Sequence, residues 1–344
     1  MKIYEVNGKK YRLPNKLNDF QLKMYVHLIN WKWTHLKIRD PGIFKGIPYD
    51  SLLPNEQRMQ YYPLYIPIKE MFLNHQKKFN FKLHKFLGHS MASSQTACAN
   101  LFLPLLKNPD IATKILSGIK TDIKKIATDL EVFDNGFRLE FWDELDNLLN
   151  DHTNVSGTDS DIAIAYYDHQ DNLNLWLIEH KLTESEFTTC GAFKSPNRST
   201  LHTCKSASAI IDNKNLCYYH SACNFNYWNI TLSNASPFNI DLIKGFDICP
   251  FMGGMNQLWR NQLLTTSIES SNSRELPYKK VYFSVVYHPE NSYLNSTISE
   301  FKKLIGYSDR FFTFTSDELI NKAKKTNEPV LSEWLDWYQK LYYF

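Results

Sequence analysis

A chain of 344 residues with 43% apolar and 15% aromatic content has material for one large domain or two modest ones, and for a substantial buried core. Its 39 basic residues nearly balance 36 acidic ones, for a formal net charge of +3; this excludes recognition of a polyanion by bulk charge and leaves it to local clustering. The opening residues, MKIYEVNGKKYRLP, contain neither an apolar stretch nor a small-residue cleavage site, and no apolar run is long enough to span a bilayer, so the expectation is a soluble, cytoplasmic protein without a membrane partner.

Ile3–Val6 and Lys9–Leu13 flank Asn7-Gly8, a strong hairpin signal. Asn18-Asp19 then predicts the cap of a helix carrying Phe20, Met24, His27, Leu28, Trp31 and Leu36 near helical spacing. Pro41, Pro48, Pro54 and Pro63 make residues 38–63 a long loop with short pieces of structure. Ser93-Ser94 caps a helix through Gln95–Leu106, kinked at Pro104. Residues 110–150 read as further helix broken near Asp134-Asn135-Gly136, with Phe137, Phe141, Leu145, Leu148 and Leu149 on one stripe.

The character changes at residue 161. Asp161–Tyr167 and Leu173–Lys181 read as strands joined by the polar turn Asp168–Asn172, and residues 185–250 look loop-rich. Gln257–Leu264 reads as a helix, Val281–Tyr287 as a buried strand and Ser316–Phe344 as a helical tail. The order implies an α/β fold with a mixed central sheet flanked by helices, and a helical N-terminal extension. The expected division is residues 1–85, a hairpin and helical region, and residues 86–344, the main domain.

A hairpin symmetric about Gln170 sets Tyr167 opposite Leu173 and, at its far end, Asp161 opposite Glu179. Period-two alternation puts Lys181 on the face of Glu179, with Ala163, Ala165, Leu175 and Leu177; Ile162, Ile164, Trp176 and Ile178 take the other face. Both faces are apolar, as in strands covered on both sides. Two opposed carboxylates repel, and a divalent cation with oxygen ligands offsets the repulsion. With an ammonium beside them they suit phosphodiester hydrolysis.

An aspartate opening one strand and Glu-x-Lys closing the next, here Ser160-Asp161 and Glu179-His180-Lys181, resembles the PD-(D/E)xK nuclease superfamily, with Ser160 in place of the proline. Ser94-Gln95, Asn100-Leu101-Phe102, Glu179–Glu184 and Gln257-Leu258-x-Arg260-Asn261 resemble a bacterial restriction-endonuclease-like group within it, over roughly residues 85–290. The resemblance implies a restriction-endonuclease-like fold, double-stranded DNA as partner, and Mg²⁺ (or Mn²⁺) held by Asp161, Glu179 and the backbone carbonyl of His180. It implies Lys181 as the group that positions or activates water, and Glu140 as an acid on the helix before the first strand, with Glu144 its rival one turn on. Arg260 and Lys194 would contact phosphate. Taken alone, Gln95 and Asn100 read as cap and buried-amide residues.

A reducing setting argues against reading the six cysteines as disulfides. Cys190, Cys204, Cys217 and Cys249 could instead hold Zn²⁺ or an iron–sulfur cluster, although no CxxC pair is present. The reading is a metal-dependent endonuclease of restriction or phage defence, able to act as a homodimer. The alternatives are a non-catalytic nucleic-acid-binding protein on the same fold and a repair-type exonuclease.

Overall fold

The computed structural model describes residues 1–84, 87–144, 146–153, 157–195, 206–271 and 277–344. Strands β1 (Lys2–Val6) and β2 (Lys9–Leu13) form the expected hairpin, with Val6 opposite Lys9 and both Asn7 and Gly8 at positive φ. Helix α1 (Asp19–Trp31) starts at a reciprocal capping box between Asn18 and Gln21. It runs into a π-helical turn, Lys32–Leu36, which stops at Lys37 in the left-handed region. A short hairpin of β3 (Gly42–Phe44) and β4 (Ile47–Tyr49) follows. Next come α2 (Lys69–Phe79), α3 (Ser94–Leu106) capped by Ser93, and α4 (Pro109–Leu116) capped by Asn108.

Beyond Leu116 the expected helix gives way to strand. Residues Ile123–Ile126 form β5 and Phe137–Phe141 form β6. The segment FRLEF has Phe137 and Phe141 four apart, which suits a helix, and Phe137, Leu139 and Phe141 two apart, which suits a strand. Five residues cannot separate the two periods. Pairing decides it: β6 lies antiparallel to β7 (Ser160–Asp168), with Phe137 opposite Ile164 and Phe141 opposite Ser160. Glu140 is therefore a strand residue, not a helical one.

Strand β8 (Leu173–Lys181) returns antiparallel to β7 in the expected register, Tyr167 opposite Leu173 and Ile162 opposite Ile178. Helices α5 (Ala207–Asp212), α6 (Tyr218–Ser221), α7 (Tyr227–Thr231) and α8 (Ile240–Lys244) give short helical structure to a stretch expected to be loop. Then come α9 (Met255–Ser270), β9 (Lys280–Tyr287), α10 (Asn295–Leu304), β10 (Phe311–Thr315), α11 (Ser316–Lys325) and α12 (Ser332–Tyr342).

Among the described residues these strands make one six-stranded mixed sheet, ordered β10-β9-β8-β7, with β5 and β6 one after the other along the far edge of β7. The β8–β9 and β9–β10 pairs are parallel. The sheet separates two cores. Ile162, Ile164, Trp176 and Ile178 face one, with apolar residues of α1, α3, α4, α11 and α12. Ala163, Ala165, Leu175 and Leu177 face the other, with those of α9 and α10. This is the expected helix–sheet–helix layering, and each face holds the residues that alternation assigns to it.

The boundary expected at residues 85–86 falls outside the described residues. Phe20, Met24 and Leu28 of α1 share one core with Trp176 and with Trp334, Tyr338 and Leu341 of α12. No helix among the described residues is long and apolar enough to cross a membrane.

Candidate active site

The edge where β7 begins and β8 ends gathers the charged residues. One step beyond the Ile162–Ile178 pair, Asp161 and Glu179 are neighbours. On the other side of β7, Glu140 lies between the pairs Leu139–Ile162 and Phe141–Ser160, and so beside Asp161. Three carboxylates thus form a row across β6, β7 and β8, with Lys181 two residues on. Glu140 takes φ 49°, uncommon for a residue other than glycine and a form of strain often found at functional sites. All four side chains line one cavity of about 870 Å³.

Glu144, the rival, is in a turn and pairs with Arg138. It is not among the residues lining that cavity.

Helix α9 crosses beneath and tethers this edge. Gln257 donates to Glu179 Oε1 at 2.7 Å and accepts from Lys181 Nζ at 3.0 Å. Lys181 Nζ also lies 2.9 Å from Glu179 Oε1, and Asn261 donates to Glu179 Oε2 at 3.2 Å. Asp161 Oδ2 accepts the backbone N–H of His180 at 2.6 Å. The His180 carbonyl accepts from Ser94 Oγ at 2.8 Å, so one lone pair of the expected ligand is engaged. The His180 ring lies away from the acids, and burial lowers its pKa to about 3, so it is neutral.

Glu140 and Asp161 touch the cavity yet lie deep among protein atoms. Burial first, then Asp159 and Glu179, push the Glu140 carboxyl up to about 8 against a hydrogen bond from Gln95. Burial, then Glu179 and Glu140, raise Asp161 well above the usual carboxylate range. Burial disfavours the Lys181 ammonium, but Glu179, Glu184 and Asp161 outweigh it and hold the amine protonated. The cluster is short of positive charge, a deficit that proton uptake or a cation relieves.

The all-oxygen donor set suits a hard divalent cation. Among the described residues, however, no three His, Cys, Asp or Glu side chains converge closely enough to hold an ion as they stand; Glu179 is turned onto Lys181 and the α9 amides.

A second, polar cavity of about 180 Å³ meets the same carboxylates from the α9 side and is lined also by Asp159, Arg260 and Asn261. Arg260 donates to the Gly157 carbonyl at 3.1 Å, and its Nε has no hydrogen-bond partner among the described residues. The side chain of Lys194 lies outside what is described.

Asp159 is a residue the sequence reading missed, although alternation from Asp161 pointed to it. Its Oδ1 lies 2.6 Å from His152 Nε2 and accepts from the ring N–H. The His152 ring stacks on Trp142 at 3.6 Å and 8°, and a Cβ at Gly157 would collide with it. The pair is therefore clamped in place.

Cys190, Cys217 and Cys249 line a separate, nearly closed apolar cavity with Trp228 and Phe251. Burial raises the Cys190 thiol and takes that of Cys217 to about 11, so both are protonated. Cys204 lies outside the described residues.

The family model described as Restriction Endonuclease associating with ARP matches residues 28–343 of the chain. No curated protein and no solved structure matches it.

Proposed function

The chain belongs to the family of restriction endonucleases associating with ARP, and on that premise we propose that it is a Mg²⁺-dependent endonuclease of the PD-(D/E)xK type that hydrolyses phosphodiester bonds of double-stranded DNA. The observation that carries this reading is the row of Glu140, Asp161 and Glu179 on three adjacent strands, with the Lys181 ammonium on the same cavity.

Asp161 and Glu179, helped by Glu140 and the His180 carbonyl, would hold Mg²⁺, with Mn²⁺ as a substitute. A bound Mg²⁺ supplies positive charge that acidifies water and neutralises the phosphoryl oxygens. Lys181, kept protonated by its acidic neighbours, orients the attacking water and stabilises charge building on the phosphate rather than abstracting a proton. The water oxygen bonds to phosphorus as the bond to the leaving sugar oxygen breaks; the attacking water gives one proton to solvent and the leaving oxygen takes one from solvent. Arg260, which lines the polar cavity, suits a phosphate oxygen. Each copy has one such site, so cutting both strands calls for two copies. Restriction or phage defence is the matching biological setting.

Nicking of supercoiled plasmid in Mg²⁺ or Mn²⁺ tests the reading. Wild type should cut, while Lys181→Ala and Asp161→Ala should lose about 10²–10³-fold. A wild-type protein that binds DNA and never cuts it would leave a binding module. Dependence on free ends would indicate an exonuclease.

A further inference from the structure

The row of carboxylates divides two cavities of unlike character. On the α9 side is the polar one, small enough for a phosphate group and lined by Arg260 and Asn261. On the other side is the cavity of about 870 Å³, in the range of pockets that enclose compact ligands. Its floor carries Glu140, Asp161, Glu179 and Lys181, and its wall carries the rings of Tyr25, Phe44 and Tyr49. These rings come from α1, β3 and β4, so separate segments converge on the place where a bond would be cut.

We infer that this cavity is a subsite for one unstacked nucleobase next to the scissile phosphate, so that the preferred substrate carries an unpaired or flipped-out nucleotide there. The inference rests on the nuclease reading for the position of the phosphate, and adds the class of nucleic acid the site takes. A nucleotide has an ionic end and a flat π-faced end, and the cavity has an ionic floor and an aromatic wall. Aromatic side chains bind bases by stacking with little regard to sequence. A duplex shows its bases only by their edges in the grooves, so a base enters such a pocket only after leaving the stack. Leaving is least costly at a mismatch, a bulge or a single strand.

Gln95 fastens residues 82–84 at the rim, accepting from the His84 backbone N–H at 2.9 Å and donating to the Lys82 carbonyl at 3.3 Å. Its amide also reaches Glu140. It thereby ties the rim of the base cavity to the row of acids.

The test is fluorescence anisotropy with short labelled DNA in Ca²⁺: a single strand, a perfect duplex, and the same duplex with one bulged nucleotide. Wild type should bind the bulge and the single strand at least about tenfold more tightly than the perfect duplex. Tyr49→Ala should remove most of that preference, and Tyr49→Phe should keep it, since the ring and not the hydroxyl stacks. Phe44→Ala serves as a second variant should Tyr49→Ala fail to fold.

Equal binding of all three DNAs, or a preference unchanged in both alanine variants, overturns the inference. Cleavage of the same DNAs in Mg²⁺ separates the two readings. Ring-dependent binding without cleavage keeps the base subsite and removes the nuclease. Equal cutting of perfect and bulged duplex, undiminished in Tyr49→Ala, keeps the nuclease and removes the subsite.

Discussion

The β7–β8 hairpin carries an aspartate at each end, and the two have opposite fates. At the turn, burial would raise Asp168, but donors from Asn172, Asn174 and Gln170 overcome it and hold the carboxyl at about 2. At the open end, burial first and then Glu179 and Glu140 raise the Asp161 carboxyl, against Lys181 and the one backbone N–H it receives, from His180. The residue type is the same and so is the hairpin. What differs is how deeply each carboxyl is buried, which charges face it, and how many donors the protein supplies. A carboxylate saturated by its own turn is architecture; one buried, crowded by other acids and short of donors favours a positive charge beside it.

The largest expected effect breaks the pair apart by substitution. Asp161→Asn puts a neutral side chain of the same shape where burial and neighbouring acids disfavour a charge, and should leave the melting temperature of the metal-free protein unchanged or higher, while nicking falls by about 10²–10³-fold. Asp168→Ala strands the Asn172, Asn174 and Gln170 donors and should cost about 1–3 kcal/mol of stability, with the specific activity of the folded protein kept. Thermal melts and plasmid nicking on both variants decide it; a stability loss in Asp161→Asn matching that of Asp168→Ala would make both ends structural.

Much of this contrast was legible in the sequence. The polar turn and strict alternation locate the hairpin's axis, and a symmetric hairpin leaves one register that buries both apolar faces, so Asp161 beside Glu179 followed directly. Glu140 was identified as an acid of the site but placed on a helix, because FRLEF fits both periods and only its pairing with β7 settles which. Asp159 was overlooked because it precedes the strand, and its role depends on His152 and Trp142 closing around it. The engagement of Gln257 with both Glu179 and Lys181 is a contact between residues more than 70 positions apart, and no local pattern encodes it.

Acidity sharpens the comparison with a smaller effect. The Glu140 carboxyl is raised to about 8 from 4.5, so the folded metal-free protein binds more protons than the unfolded chain between those values, and stability should fall as pH rises through that window. Asp168 has the opposite sign: its pKa is lowered to about 2 from 3.8, so its contribution is present above 3.8 and is lost as pH falls toward 2. Mg²⁺ at about 100 times its Kd should add roughly 2.7 kcal/mol. The gain should be larger at pH 8 than at pH 5.5, because ionised carboxylates are the ligands. Melts at the two pH values with and without Mg²⁺ measure it, and a Mg²⁺ shift independent of pH would contradict binding through these carboxylates.

The smallest expected effect concerns how the row of acids is framed. Asp159 faces both cavities and helps to raise Glu140, and its own partner, His152, is held by stacking on Trp142. His152→Ala releases Asp159 without removing a member of the row, so activity should fall only severalfold, and the Mg²⁺ concentration for half-maximal nicking should rise by about tenfold, within the range for groups that orient ligands. His152→Asn retains a donor and should recover part of that shift. A loss of turnover with an unchanged Mg²⁺ requirement would place His152 nearer to the substrate than to the acids, and Asp159 would then belong with Asp168 as a carboxylate satisfied by its own surroundings.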